Sequence, residues 1–250
     1  MLQKVSFYWL IPCVNRSNRL YLVFEYIEKN LLEILEENPN GIGLDDVRCY
    51  LYQVFKAIEY CHRNNVIHRD IKPENLLINP KKKELKICDF GFARVLSNKA
   101  GAGGLTDYVA TRWYRAPELL LSNNYGKEVD IWAAGCIMGE ITDGEALFPG
   151  ESEIDQLFCI QKILGKLTNS QQEEFNKNPR FVGLKFPNID KPETLERRYM
   201  GKLSPDALKL LKGTLCLDPA KRFTAIDCLA CSWFDDLREP EVEKLIEAQT

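Results

Sequence analysis

Apolar positions give the first outline of the chain. From Asp45 onward, Val47, Tyr50, Leu51, Val54, Ile58 and Cys61 recur at helical spacing, and Asn64-Asn65 closes the run. That pattern predicts an amphipathic helix with one buried face. Farther on, VDIWAAGCIMGEIT, Val129 to Thr142, is apolar almost without a break, which predicts a helix buried on most sides. RLYLVFEYI, Arg19 to Ile27, is rich in aromatic and β-branched residues and predicts a strand. Two short apolar runs, Asn75 to Ile78 and Leu85 to Cys88, flank Asn79-Pro80 and the lysines Lys81, Lys82 and Lys83. Together they predict a hairpin around a solvated turn. Residues 92–117 have weak periodicity and many small or polar side chains, as a long functional loop would. Several helical patterns follow to Phe234, and residues 238–250 read as a charged amphipathic tail. With strand signals first, helices after and no evident linker, the fold class is α+β.

Composition narrows the function classes. At 250 residues, 45% hydrophobic and 28% charged, this is an ordinary globular chain with ample core. The net charge of −3 gives no support for a nucleic-acid or anionic-membrane partner. No apolar run reaches the roughly 18 residues that a bilayer span needs. The opening MLQKVSFYWLIPCV lacks a small-residue cleavage site and runs into a strand pattern, so it reads as core structure rather than a signal peptide. Nine scattered cysteines fit reduced thiols in the cytosol or nucleus. Cys228-Leu-Ala-Cys231 shares a helical pattern with Ile226 and Leu229, and packing is the better reading than metal or redox work.

Candidate chemistry begins at VIHRDIKPENLLI, Val66 to Ile78, where His68, Arg69, Asp70, Lys72 and Asn75 crowd between aliphatic anchors. Burying unpaired charge costs several kcal/mol per ion, so such a cluster marks a site. Asp89-Phe90-Gly91 follows, then Ala116-Pro117-Glu118, then Asp130 with Trp132 on the apolar helix. In order and spacing this set resembles the eukaryotic protein kinase catalytic lobe, and the likeness runs from about Arg19 to about Leu237.

The resemblance implies a protein-kinase-like fold, mainly the helical C-terminal lobe with a remnant of the N-lobe strands. Residues 1–27 would be that remnant and the hinge, residues 28–237 the C-lobe with an insert at about 151–203, and 238–250 the tail. It also implies ATP and Mg²⁺ as cofactors and protein serine or threonine hydroxyls as substrates. Asp70 would orient the hydroxyl and accept its proton, and Lys72 would reach the transferring phosphoryl group. Asn75 and Asp89 would hold Mg²⁺, and Thr111 would link Asp70 to Lys72. Gly91 would let the backbone turn after Asp89. His68 and Phe90 would pack under the loop, Asp130 would be structural, and Glu118 would pair with Arg222. Phe24 would be the gatekeeper, the backbones of Glu25 and Ile27 would bind adenine, and Leu77 would close the pocket from below.

ATRWYRAPELLL and FPGESEIDQLFCIQKILG resemble the group containing cyclin-dependent and mitogen-activated kinases, and VFEYIEKNLLE, DFGFAR and Thr106-Asp107-Tyr108 resemble more narrowly the cyclin-dependent kinase-like family. That likeness implies regulatory phosphorylation of Thr106 and Tyr108 by an upstream kinase. Arg69 and Arg94, or Arg112 and Arg115, would bind the phosphates. Cyclin dependence is left open. A Gly-rich loop, a strand lysine and a helix glutamate, which the family also uses, are not found before the hinge pattern, and MLQKV resembles the end of the helix that carries the glutamate. The expectation is therefore a shortened active kinase whose own turnover is weak or nil, the alternative being a kinase lobe serving as a binding or regulatory module.

Overall fold

The computed structural model describes residues 11–14, 20–96, 112–122, 124–187, 189 and 191–248. Strands β1 (Ile11–Val14) and β2 (Leu20–Val23) pair antiparallel, with Ile11 opposite Val23. The ladder ends there, so the strand predicted over Arg19 to Ile27 is shorter than its composition suggested. Val23, Phe24 and Tyr26 are 51%, 48% and 88% exposed, and with no covering layer among the described residues, β-favouring residues do not make a sheet face.

Strand β3 (Lys29–Asn30) leads into helix α1 (Leu31–Glu37), which Asn30 caps. Asn30 Oδ1 accepts from Glu33 N–H at 3.0 Å while Glu33 Oε2 accepts from Asn30 N–H at 2.7 Å, a reciprocal capping box. The predicted amphipathic helix is α2 (Leu44–Arg63), with Asp45 and Asp46 in its first turn and His62 and Arg63 in its last, the signs that suit the helix dipole. Its apolar face, including Val47, Leu51, Val54 and Ile58, is buried. The lysine-turn hairpin is β5 (Leu76–Asn79) against β6 (Glu84–Ile87), one residue displaced from the predicted bounds, and β3 adds to its other edge. Strand β4 (Val66–Ile67) pairs with β7 (Arg94–Val95).

The centre of the lobe is α4 (Glu128–Asp143), buried at every residue from Val129 to Thr142. Gly139 makes room for a neighbour: a Cβ there would sit 2.5 Å from Tyr199 Oη. Helix α8 (Pro205–Thr214) packs on α4, α7 (Leu195–Arg198) and α9 (Ala225–Leu229) pack on α8, and α5 (Glu153–Leu164) and α6 (Asn169–Lys177) pack on α3 (Pro117–Leu121). Helix α2 packs on α4, α9 and β6. The last helix, α10 (Pro240–Glu247), buries Val242 and packs on α9. Just before it, Glu239 bonds both Lys56 Nζ (2.7 Å) and the Tyr52 hydroxyl (3.1 Å).

Cys228 and Cys231 are buried free thiols, and burial pushes the Cys228 thiol well above its ordinary value. Among the described residues no group of three or more His, Cys, Asp or Glu could hold a metal ion. None of the described helices is long and apolar enough to cross a membrane.

Candidate active site

Two backbone segments build the site: the loop after β4, residues 68–75, and the segment after β6, residues 88–93. Both are anchored from below. The buried Asp130 carboxylate, in the first turn of α4, accepts His68 N–H at 2.9 Å, Arg69 N–H at 2.8 Å and His62 Nε2 at 2.9 Å. These donors hold Arg69 in the left-handed region at φ 68°, a conformation that persists only where the surroundings over-determine it. His68 joins the two segments. Its Nε2 meets Cys88 O at 3.0 Å and its Nδ1 accepts Asp70 N–H at 3.3 Å, which calls for the Nε2–H tautomer. Phe90 packs edge-on against the same ring, 4.8 Å between centroids.

Above this floor stand the polar groups. Asp70 Oδ2 lies 3.1 Å from Lys72 Nζ and accepts from Asn75 Nδ2 at 3.0 Å. Asn75 Nδ2 also donates to Asp70 O at 2.8 Å. The Asn75 amide nitrogen is thus committed, and its oxygen is the end left for another ligand. Across the cleft floor, Asp89 takes φ 61°, ψ 72° and caps the short turn Phe90–Phe92, its Oδ1 accepting Gly91 N–H at 3.1 Å. The sharp turn is thus carried by Asp89 itself, which corrects the expectation placed on Gly91. Gly91 supplies room instead: a Cβ there would sit 3.0 Å from Asp89 Oδ1.

The arginines separate into two places. Arg69 donates from Nε to Phe92 O and from a terminal nitrogen to the Tyr125 hydroxyl, both at 2.6 Å. Arg94 is exposed on β7 opposite Ile67. Arg112 and Arg115 lie close together, with Asp70 in electrostatic reach: burial first and then the Arg112 charge lower the basicity of Arg115, while Glu153 and Asp70 oppose them. Thr106, Tyr108 and Thr111 lie outside the described residues, as do the opening MLQKV and the AGAGG run.

In the hinge pattern, Phe24 is about half exposed and Ile27 half-buried, and the Glu25 carboxylate pairs with Lys86 Nζ on β6. Leu77 is half-buried on β5, opposite Asn30 and Lys86. Glu118 and Arg222 form a buried two-pronged pair at 2.5 and 3.0 Å. The Arg222 guanidinium also donates to Cys216 O and Glu128 O and lies 5.0 Å from the Trp132 ring centroid.

Sequence reasoning missed His62, Lys86, Tyr125 and the buried pair Tyr114–Glu140, whose hydroxyl donates to Oε2 at 2.7 Å. Burial raises the Glu140 carboxyl above its usual range, against the lowering effect of the Tyr114 hydrogen bond. His62 had a signal: it is one of only two histidines in the chain and ends the apolar face of α2. The other three sit in stretches whose periodicity points to nothing but packing or a loop.

Asn75 and Asp89 each offer oxygen donors, on two segments that the Cys88 N–H ties together by donating to Asn75 O at 2.9 Å, and the Asp70 carboxylate is fixed between Asn75 and Lys72 by the bonds given above. A family model described as protein kinase domain matches residues 6–234. Cyclin-dependent kinase-like 5 of Mus musculus is 59% identical over 214 residues, 86% of this chain and 23% of that protein. Cyclin-dependent kinase-like 2 of Homo sapiens is 50% identical over 214 residues, covering 85% of this chain and 43% of that protein. Cyclin-dependent kinase-like 4 of Mus musculus is 43% identical over 236 residues, or 94% and 68%. The chain therefore spans less than a quarter of the length of the first relative and about two thirds of the last.

Proposed function

This chain belongs to the cyclin-dependent kinase-like family of protein kinases, and from that premise we propose that residues 68–91 form a centre moving the ATP γ-phosphoryl group to a protein serine or threonine hydroxyl. The observation that carries the reading is the pairing around Asp70, one carboxylate held by Lys72 at 3.1 Å and Asn75 at 3.0 Å. Held so, Asp70 has an orientation in which it can take the hydroxyl proton as the oxygen attacks. Lys72 stands beside it, where positive charge offsets the negative charge of the phosphoryl group in flight.

Protein kinases use ATP with Mg²⁺, and the donor set here fits that ion. Mg²⁺ takes hard oxygen ligands, few from protein and the rest from water and phosphate. The Asn75 amide oxygen and the Asp89 carboxylate are such donors, and Mg²⁺ held by them would neutralise charge on the phosphates. Glu25 and Ile27 would present backbone groups to adenine, with Leu77 and Phe24 lining the base. A phosphate on Thr106 or Tyr108 would be met by Arg69 and Arg94 or by Arg112 and Arg115.

The test is Mg²⁺-dependent transfer of labelled γ-phosphate by this chain to a serine- and threonine-bearing protein, with Asp70→Asn alongside. The sequence supplies no Gly-rich loop and no V-A-I-K lysine, so transfer is expected below the ~1–100 s⁻¹ of protein kinases. Asp70→Asn should cut it by a further factor of ~10²–10⁴ with the melting temperature unchanged. A mutant as fast as the parent would remove Asp70 from its role.

A further inference from the structure

A cavity of about 550 Å³ opens between the end of α2, the start of α4, the segment 219–226 and α10. That volume falls in the range of small-molecule sites. Its apolar wall is Ile131, Phe223, Ile226 and Leu245, and its polar wall includes Glu59, His62, Arg63, Lys127, Glu128 and Arg222.

Charge decides what suits it. The cations are already engaged: Arg222 by Glu118 at 2.5 Å, Lys127 by Asn65 at 3.1 Å, and Arg63 by Glu59 at 3.6 Å. No cation pairs with Glu128 among the described residues, and Glu59 has only the long contact with Arg63. Glu128 is thus the acceptor of this wall without a cationic partner, and a ligand head that donates a hydrogen suits it.

One wall residue also reaches the site described above. His62 Nε2 is 2.9 Å from Asp130 Oδ2, and the same carboxylate holds the backbone N–H groups of His68 and Arg69. A body seated in the cavity presses on a ring that is one hydrogen bond from the floor of the Asp70 loop. Such a chain of packed and bonded groups is the physical requirement for coupling between sites.

We propose that this cavity is a binding site for a small aromatic molecule with a donor head, a hydroxyl or an amine, and that its occupancy is felt at residues 68–70 through His62 and Asp130. The site is separate from the phosphoryl-transfer reading, so either can fail alone. The probe is 2-naphthol, with 2-naphthoate as the same ring bearing an acceptor-only head. Proton NMR of the full chain reads it, because the chain has two histidines and hence two imidazole lines to follow, together with amide exchange at residues 68–70. Expected is a saturable shift of the His62 line by 2-naphthol, at least tenfold weaker binding of 2-naphthoate, and a changed exchange rate at residues 68–70. Leu245→Trp, which fills the cavity from α10, should abolish all three responses to 2-naphthol. No saturable shift, equal binding of the two probes, unchanged exchange at residues 68–70, or persistence of the shift in Leu245→Trp would each overturn the proposal. Should Leu245→Trp fail to fold, Ala248→Trp blocks the same mouth.

Discussion

Asp130 binds three donors with one carboxylate, two of them backbone N–H groups of the loop that presents Asp70. Asp130→Ala leaves all three in a dry setting, and losing one side of such a network costs about 3–5 kcal/mol. Thermal melts should show a loss of that order, and a change under about 1 kcal/mol would mean that water takes over the bonds. Glu140 offers a pH test. Burial raises its folded carboxyl above the usual value of 4.5, so the folded chain holds the proton more tightly than the unfolded one. Its contribution is then fully present below that usual value and is lost as pH rises through the folded pKa. Glu140→Gln, which can still accept from Tyr114, removes that dependence. Urea midpoints of parent and variant should diverge as pH rises through this window, the parent falling relative to the variant, and parallel curves would refute the assignment.

Elements differ in how openly the sequence displays them. Helix α2 was legible because one face alone repeats at helical spacing and both ends carry boundary residues. The β5–β6 hairpin was legible to within one residue, because Pro80 and three lysines fix where the turn must be. The predicted strand over Arg19 to Ile27 overran, since residue type cannot report whether a covering layer exists. Of the site, Asp70, Lys72 and Asn75 were legible as a motif and do meet in space, whereas Tyr125 and Glu140 were not. Their partners lie far away in sequence, and nothing local marks a residue whose role is set by a distant hydroxyl or guanidinium. The tie between elements most open to test is Glu118 on α3 with Arg222 ahead of α9. Arg222→Met strands a buried carboxylate and should cost about 3–5 kcal/mol, whereas the double variant Glu118→Leu/Arg222→Met should recover most of it. A double variant no better than the single one would show that the bonds of Arg222 to Cys216 O and Glu128 O matter more than the charge pair.

At the scale of the whole molecule, α4 is the axis to which the other parts attach. The Asp130 anchor, the Arg222 bonds to Glu128 O, and the Tyr114 contact to Glu140 all end on it, and residues 129–142 are buried throughout. The segment after Leu237, which reads as a separate charged tail, also joins the lobe, through Val242 and the Glu239 bonds to α2. Its charge hid the apolar anchors, buried Val242 and half-buried Ile246. Helices buried this completely exchange their amides through the largest openings of a fold, so the slowest deuterium uptake of the lobe is expected in α4. Its slowest-labelling amides thus act as a gauge of global stability in plain buffer, and any additive or substitution can be ranked by how far it slows that one signal.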